Sequence, residues 1–296
     1  MLSKMYNLIK YCYEDSITNQ FAGIEFQLFL ISSKSLVPYE DRLGCMFDRV
    51  RYRKELEVFK YYKSANDNLL DNYFENKKIS SLEDNLLEYK ILPIILSNTV
   101  YEISIEEALK NIFIFTNNQI TVLDSIIISS AIYEYFNSTI PLDIDNYNVN
   151  TKNRLIEFSL KDLFNKYNIE ANNNYFINFE KERIKLIEKN IFSDDRIFKF
   201  KALQFIFNES KTYQSKDIYK GYESVLNNFA SYILKIRKGI LNPEKLKYQK
   251  DIIPDLKEYL HNTDFNHPLL GKCTVFKRND NEVVFKNKLG LYRVKI

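Results

Sequence analysis

Glycine and proline are sparse in this chain, six of each in 296 residues, and where they fall constrains the fold more than any other feature. Between them the chain reads as helices up to about residue 262. Ile105, Ala108, Leu109, Ile112, Phe113 and Phe115 recur at helical spacing, behind a Ser104–Glu107 pair that reads as a capping box. Asn117 and Asn118 break that helix. The next segment carries Val122, Ile126, Ser129, Ser130 and Tyr133 on one face. Ile127, Ile128, Ile132 and Phe136 widen its apolar surface, so burial on most sides is expected. Its β-branched content would also suit a strand. Its length, beyond the ~4–8 residues of most strands, together with Ala131 and Glu134, favours a helix.

Residues 143–152 follow Pro141, are rich in Asn and Asp, and read as a loop. Helical spacing returns over 153–167, breaks over 171–175, and resumes over 180–192, 198–208 and 215–238. Gly239 falls just past the last of these, where a left-handed cap favours glycine, and Pro243 follows. Near the C-terminus, two Val-Phe-Lys runs flank the turn residues 278–281, and Leu291 to Lys295 alternates apolar and polar side chains. These features predict a three-stranded meander starting near His267 and Pro268. Three strands alone are marginal, so the meander is expected to pack on the helices. The expected fold class is therefore mainly α: a multi-helix domain over 1–262 with a small C-terminal β meander over 266–296.

A formal net charge of +3 is too small to signal nucleic-acid binding without a concentrated patch. The densest basic run, Arg49 to Lys54, is followed at once by Glu55 and Glu57 and reads as a solvated helix face. No specific nucleic-acid signal is found. Cys12, Cys45 and Cys273 are far apart, with no disulfide or zinc spacing, which fits a reducing compartment. No apolar run approaches the ~20 residues of a membrane span, and residues 1–13 lack a leader's apolar core, so a cytoplasmic location is expected. His261 and His267 are the only histidines and sit in no metal or catalytic spacing; His267 reads as structural.

Three stretches resemble the ADP-ribosylglycohydrolase family. Gly44-Cys-Met-Phe-Asp-Arg-Val50 stands where the family has Gly-x-x-Thr-Asp-Asp-Thr. The helix pair before and after Thr116-Asn117-Asn118-Gln119 matches a family helix pair divided by a Thr-His break. Gly221-Tyr-Glu-Ser-Val-Leu226, leading through a helix to Gly239 and Pro243, stands where the family has Gly-Gly-Asp-Thr-Asp-Thr. A further segment, 267–275, resembles the opening strand of small Tudor-like barrels. In the family, two Mg²⁺ ions between the acidic motifs orient an ADP-ribose and a water. Here the resemblance leaves three ligand-forming side chains of eight, Asp48, Glu223 and Ser224, with Arg49 in the place of the second Asp. It implies Asp48 and Glu223 as catalytic candidates, and Asp48, Arg49, Asn117, Glu223 and Ser224 as ligand-binding candidates. Asp48, Glu223 and Ser224 are the only metal candidates. Arg49 is expected to pair with Asp48 or Glu223 in place of the metal, and Tyr222 to crowd the substrate's approach. No cofactor is expected, with Mg²⁺ required only where the family site survives.

The first expectation is a catalytically degenerate member of this family, acting as a binding module for an ADP-ribose-like ligand or a protein partner. The second is an active N-glycosidic hydrolase built on Asp48 and Glu223 with Asp15 or Glu25. The third is a helical protein-interaction domain unrelated to ADP-ribose. Convergence of Gly44 and Gly221 separates the third from the other two.

Overall fold

A computed structural model describes residues 1–17, 21–138, 143–208, 220–242 and 253–296. It is 61% helical, with 14 α-helices and a four-stranded antiparallel sheet near the C-terminus among the described residues, in agreement with the expected class. The chain begins with α1 (Leu2–Tyr13), a 3₁₀ turn over Glu14–Ile17 and α2 (Ile24–Lys34). A short hairpin of β1 (Leu36–Pro38) and β2 (Cys45–Phe47) leads to α3 (Arg49–Tyr62) and α4 (Asn68–Asn76). The helical bulk is α5 (Leu87–Ser97), α6 (Tyr101–Ile112), α7 (Gln119–Asn137), α8 (Ile144–Glu157), α9 (Leu160–Tyr167) and α10 (Asn173–Ile187). Then come α11 (Asp194–Lys199), α12 (Lys201–Asn208) and α13 (Lys220–Arg237). The chain ends with α14 (Leu256–Tyr259) and the meander β3 (Asp264–His267), β4 (Gly271–Arg278), β5 (Glu282–Asn287) and β6 (Gly290–Lys295).

Helix α2 is the partition of the core. Its Phe26, Phe29 and Leu30 pack into a large cluster with α1, α5, α7 and α13. Its Ile24, Leu28 and Ile31 face a second cluster built with α3, α4 and the sheet. Polar groups cannot escape a helix covered on both sides, so they find partners nearby. Gln27, buried, donates from Nε2 to the Tyr62 carbonyl (3.2 Å) and accepts the Ser64 N–H at Oε1 (3.0 Å). The inner face of the sheet, Cys273, Val283, Phe285, Tyr292 and Val294, belongs to the same cluster as α3. The expectation that the strands pack on the helices is met.

Helix α7 forms where the apolar run predicts it, buried nearly all round. Gly239 adopts φ +65, and the N–H groups of Gly239 and Ile240 donate to Ile236 O and Lys235 O (both 2.9 Å), the paired bonds of a Schellman cap. Pro141, residues 215–219 and Pro243 lie outside the described residues.

Other boundaries move. Residues 143–152 are not a loop: Asp143 caps α8 by accepting the Asn146 N–H (2.8 Å), and Tyr147, Thr151 and Leu155 bury a stripe at four-residue spacing. The single helix expected over 153–167 breaks at Phe158, with Ser159 capping α9. The helix over 198–208 divides at Phe200 into α11 and α12, and α10 starts seven residues before Glu180, at Asn173. Ser104 is no cap, because α6 starts a turn earlier at Tyr101 and carries Ser104 inside, buried. Glu107 is likewise buried: it accepts the Phe47 N–H (2.8 Å) and the Tyr39 hydroxyl (2.7 Å) and pairs with Lys110 (2.6 Å).

The meander has four strands, because β3 precedes the expected start. His267 closes the β3–β4 turn, its Nδ1 accepting the N–H groups of Leu269 (3.2 Å) and Leu270 (3.4 Å). Its structural role agrees with the sequence reading.

Gly44 holds the β1–β2 hairpin against the end of α5. Its φ is +103, and a Cβ there would collide with Asn98 Oδ1, the atom that accepts the Cys45 N–H (3.0 Å). Gly44→Ala is therefore expected to cost about 1–3 kcal/mol in backbone strain alone, read as a lower urea midpoint. A loss below ~0.5 kcal/mol would contradict this account.

Candidate functional site

The residues singled out in the sequence do not meet. Asp48 is the N-cap of α3, its Oδ1 accepting the N–H groups of Val50 (3.0 Å) and Arg51 (2.9 Å). Its own N–H donates to Ser35 O at the C-terminal end of α2 (2.9 Å). Glu223 is exposed in the first turn of α13, 3.6 Å from Lys10 of α1. Beside it, Tyr222 packs edge-on against Phe26, in the first turn of α2. Asp48 and Glu223 therefore sit toward opposite ends of α2, and the helical path from Phe26 to Ser35 spans about 14 Å.

Helix α13 gives the same answer. Leu43 packs over Gly239, and Arg237 in the last turn donates to the Asn98 carbonyl, beside the hairpin. Gly221 opens the same helix, so Gly44 and Gly221 lie near its two ends, about 27 Å of helix apart. They do not converge.

The remaining candidates are scattered too. Ser224 is exposed next to Glu223. Asn117 lies between α6 and α7, its N–H donating to Ser80 O (3.0 Å) and its carbonyl accepting the Tyr175 hydroxyl (2.6 Å). Asp15 is exposed and accepts from Lys201 (3.0 Å), and Glu25 is half-buried in the first turn of α2. Tyr222 does not crowd a cleft; it is buried between Phe26 and Gly290. Arg49 pairs with neither Asp48 nor Glu223, because the first is turned onto the amides of its own helix and the second lies across the molecule. Burial lowers the Arg49 guanidinium pKa, and neighbouring Arg53 lowers it further.

A Mg²⁺ pair needs several oxygen ligands at ~2.1 Å from each ion. Among the described residues no three His, Cys, Asp or Glu side chains converge, and Asp48 and Glu223 are a helix apart. The residues present do not fit the metal centre that the resemblance implies.

A concave site does exist elsewhere, between the end of α3 and β6. This cleft encloses about 620 Å³. One wall is Lys60, Tyr61, Tyr62 and Lys63 with the loop that follows, pinned by Gln27. The other is the outward side of β6, Leu291, Arg293 and Lys295, and Lys257 of α14 stands at the rim. Phe21 forms a parallel bridge to Leu291, and the Arg293 guanidinium lies 4.8 Å over its ring. Tyr61 is flanked by Lys60 (4.7 Å) and Lys257 (5.6 Å), and its hydroxyl donates to Asp255 (2.7 Å).

Five cations thus line the cleft, and among the described residues no carboxylate does. The acids stand behind it. Glu57 is 3.6 Å from Lys60, Asp71 is 2.5 Å from Lys63, and Glu282 is 3.4 Å from Arg293. Lys257 and Lys295 have no ion pair among the described residues, although Asp255 lies close enough to Lys257 to feel its charge. The lining offers no His or Cys, so its chemistry is charge, hydrogen bonding and aromatic contact.

Comparison of the chain with protein families, curated proteins and solved structures finds no match. The cleft is therefore read from its own geometry. Sequence reasoning misses it because its cations come from three distant segments. One signal is present: residues 253–296 hold eight Lys and Arg against five Asp and Glu, a surplus of three that equals the net charge of the whole chain. No helix among the described residues is long and apolar enough to cross a membrane.

Proposed function

We propose that this protein is a non-catalytic binding protein whose α3–β6 cleft takes a phosphate-bearing, nucleotide-like anion. The observation that carries this reading is the set of five cations and three aromatic side chains, Phe21, Tyr61 and Tyr62, around one cleft without a lining carboxylate. Exposed single pairs contribute only ~0–1 kcal/mol each, so affinity comes from several acting together in a concave, partly desolvated space. An ADP-ribose-like ligand suits this chemistry, with its two phosphates on the lysines and its base on an aromatic face. Since Gly44 and Gly221 lie apart, the outcome attached above to a domain unrelated to the family, the support for such a ligand comes from this cleft alone and not from the family motifs. Metal-dependent glycosidic hydrolysis has less support, since its candidate acids lie apart as well. Three buried free cysteines fit a reducing, cytoplasmic setting.

Calorimetric titration of ADP-ribose and of ADP, with and without Mg²⁺, tests the reading. Binding is expected without the metal, and the Lys257→Glu/Lys295→Glu double variant is expected to weaken it about tenfold, with both positions exposed enough to leave folding intact. Binding that requires Mg²⁺ and is indifferent to these two lysines would overturn it, as would release of ADP-ribose from a modified protein that depends on Asp48.

A further inference from the structure

The outer face of the C-terminal sheet continues the cleft. Strand alternation sends Cys273, Val283, Phe285, Tyr292 and Val294 inward to the core. The opposite face receives Lys272 and Lys277 from β4, Lys286 from β5, and Arg293 and Lys295 from β6. The register places Lys286 between Thr274 and Leu291, and Val284 between Lys277 and Arg293. Two acids share this face, Glu282, which is paired with Arg293, and Asp264 on the far edge strand. The balance is five cations to two carboxylates, with the cations on three adjacent strands, each ~4.8 Å from the next.

One aromatic side chain completes the surface. The register shifts between Val275 and Lys277, and the bulge leaves Phe276 beside Lys277 with 68% of its surface exposed. Bulges re-aim side chains, and this one presents a large apolar ring to water beside a cationic field. Arg293 and Lys295 belong to both the sheet face and the cleft. The two surfaces therefore form one track, with Phe276 toward one end and Tyr61 toward the other.

We infer that this track binds single-stranded nucleic acid, with backbone phosphates along the lysines and a base stacked on Phe276. The inference rests on the cleft reading and extends its ligand from one nucleotide unit to a strand. A cationic groove beside an exposed aromatic ring suits unpaired bases, whose faces are free to stack. A duplex hides those faces, and its major groove takes a helix or a protruding two-stranded ribbon rather than a sheet face beside a cleft.

The test uses the full chain and fluorescein-labelled 20-nucleotide oligo-dT and oligo-A, read by anisotropy over a salt series. Single strands are expected to bind better than a duplex of the same length. With about 3–5 phosphates neutralised, log K should fall against log salt with a slope of about −2 to −3.5. Phe276→Ala is expected to weaken strand binding about tenfold, and Lys277→Glu/Lys286→Glu to make the slope shallower by about 1.4. Neither change should alter ADP binding in the cleft, which keeps strand and cleft readings distinguishable. Unchanged thermal midpoints confirm that these exposed positions leave the fold intact. ADP binding without strand binding overturns the inference and leaves the cleft reading standing. Absence of both overturns both. Duplex bound as well as single strand with no Phe276 effect, or binding to anionic phosphatidylserine vesicles but not to oligonucleotides, also overturns it.

Discussion

Lys90→Met is expected to remove about 3–5 kcal/mol of stability. Lys90 and Asp84 form an ion pair in which both side chains are fully buried. The Lys90 ammonium also lies 4.4 Å over the Phe115 ring. Burial pushes the Asp84 carboxyl above its ordinary range, and Lys90 pulls it back. Methionine fills a similar volume, so the cost comes from stranding a carboxylate rather than from a cavity. Asp84→Asn/Lys90→Met should then recover most of the loss, because Asn retains the Oδ1 that accepts the Leu86 N–H (3.0 Å). Urea unfolding of the two variants and the parent decides it. If Lys90→Met alone loses under ~1 kcal/mol, the pair is not what fixes this junction of α5 to the segment before it.

The parts of the fold that are legible in the sequence are those where one physical signal dominates. Helix α7 is an apolar run too long for a strand, and Gly239 supplies a left-handed cap that few residues adopt without strain. Helix α8 escapes a sequence reading because its Asn and Asp side chains resemble turn chemistry. Its buried stripe of Tyr147, Thr151 and Leu155 is thin, and tertiary packing on α7 decides the outcome. The Ser104–Glu107 pair has the spacing of a capping box, yet Glu107 serves the β2 amide and Tyr39 across the fold. Local spacing cannot show such long-range partners.

The site is less legible for a related reason. The acidic stretches around Asp48 and Glu223 have a plausible order along the chain, but order carries no information about which end of a helix each reaches. Asp48 is bonded to the end of α2, whereas Tyr222, the neighbour of Glu223, lies against its start. The cationic track, in contrast, has no local motif. Lys60 and Lys63 close one helix, Lys257 sits on a short one, and Arg293 and Lys295 alternate with core residues on a strand. Antiparallel register and the docking of α3 bring them together, and alternation of Lys with Val or Tyr reads in sequence only as a half-buried strand.

Acidification is expected to weaken the sheet through His267, by about 3 kcal/mol between pH 6.5 and pH 4. Burial lowers the His267 pKa from 6.5 to about 4, and Lys34 adds to the shift, while the Pro254 carbonyl opposes it. The folded state thus prefers the neutral ring. Its contribution is complete above the unfolded pKa of about 6.5 and is lost as pH falls toward the folded value. The geometry gives the reason, since Nδ1 must stay unprotonated to accept the Leu269 and Leu270 amides. Glu88 acts in the opposite direction. Burial raises its carboxyl to about 7 although the Lys201 and Ala202 amides donate to it, so its contribution is present below 4.5 and lost as pH rises through 7. The two are separated by comparing the parent with His267→Asn in urea, at about pH 7.5 and about pH 4.5. Asn can accept an amide but does not titrate, so on acidification the variant should gain stability relative to the parent. Equal changes in the two proteins would mean that the β3–β4 turn tolerates a protonated ring. The two opposing windows overlap, so the parent's stability should change less across this range than either group alone dictates, and the variant should shift the optimum toward lower pH.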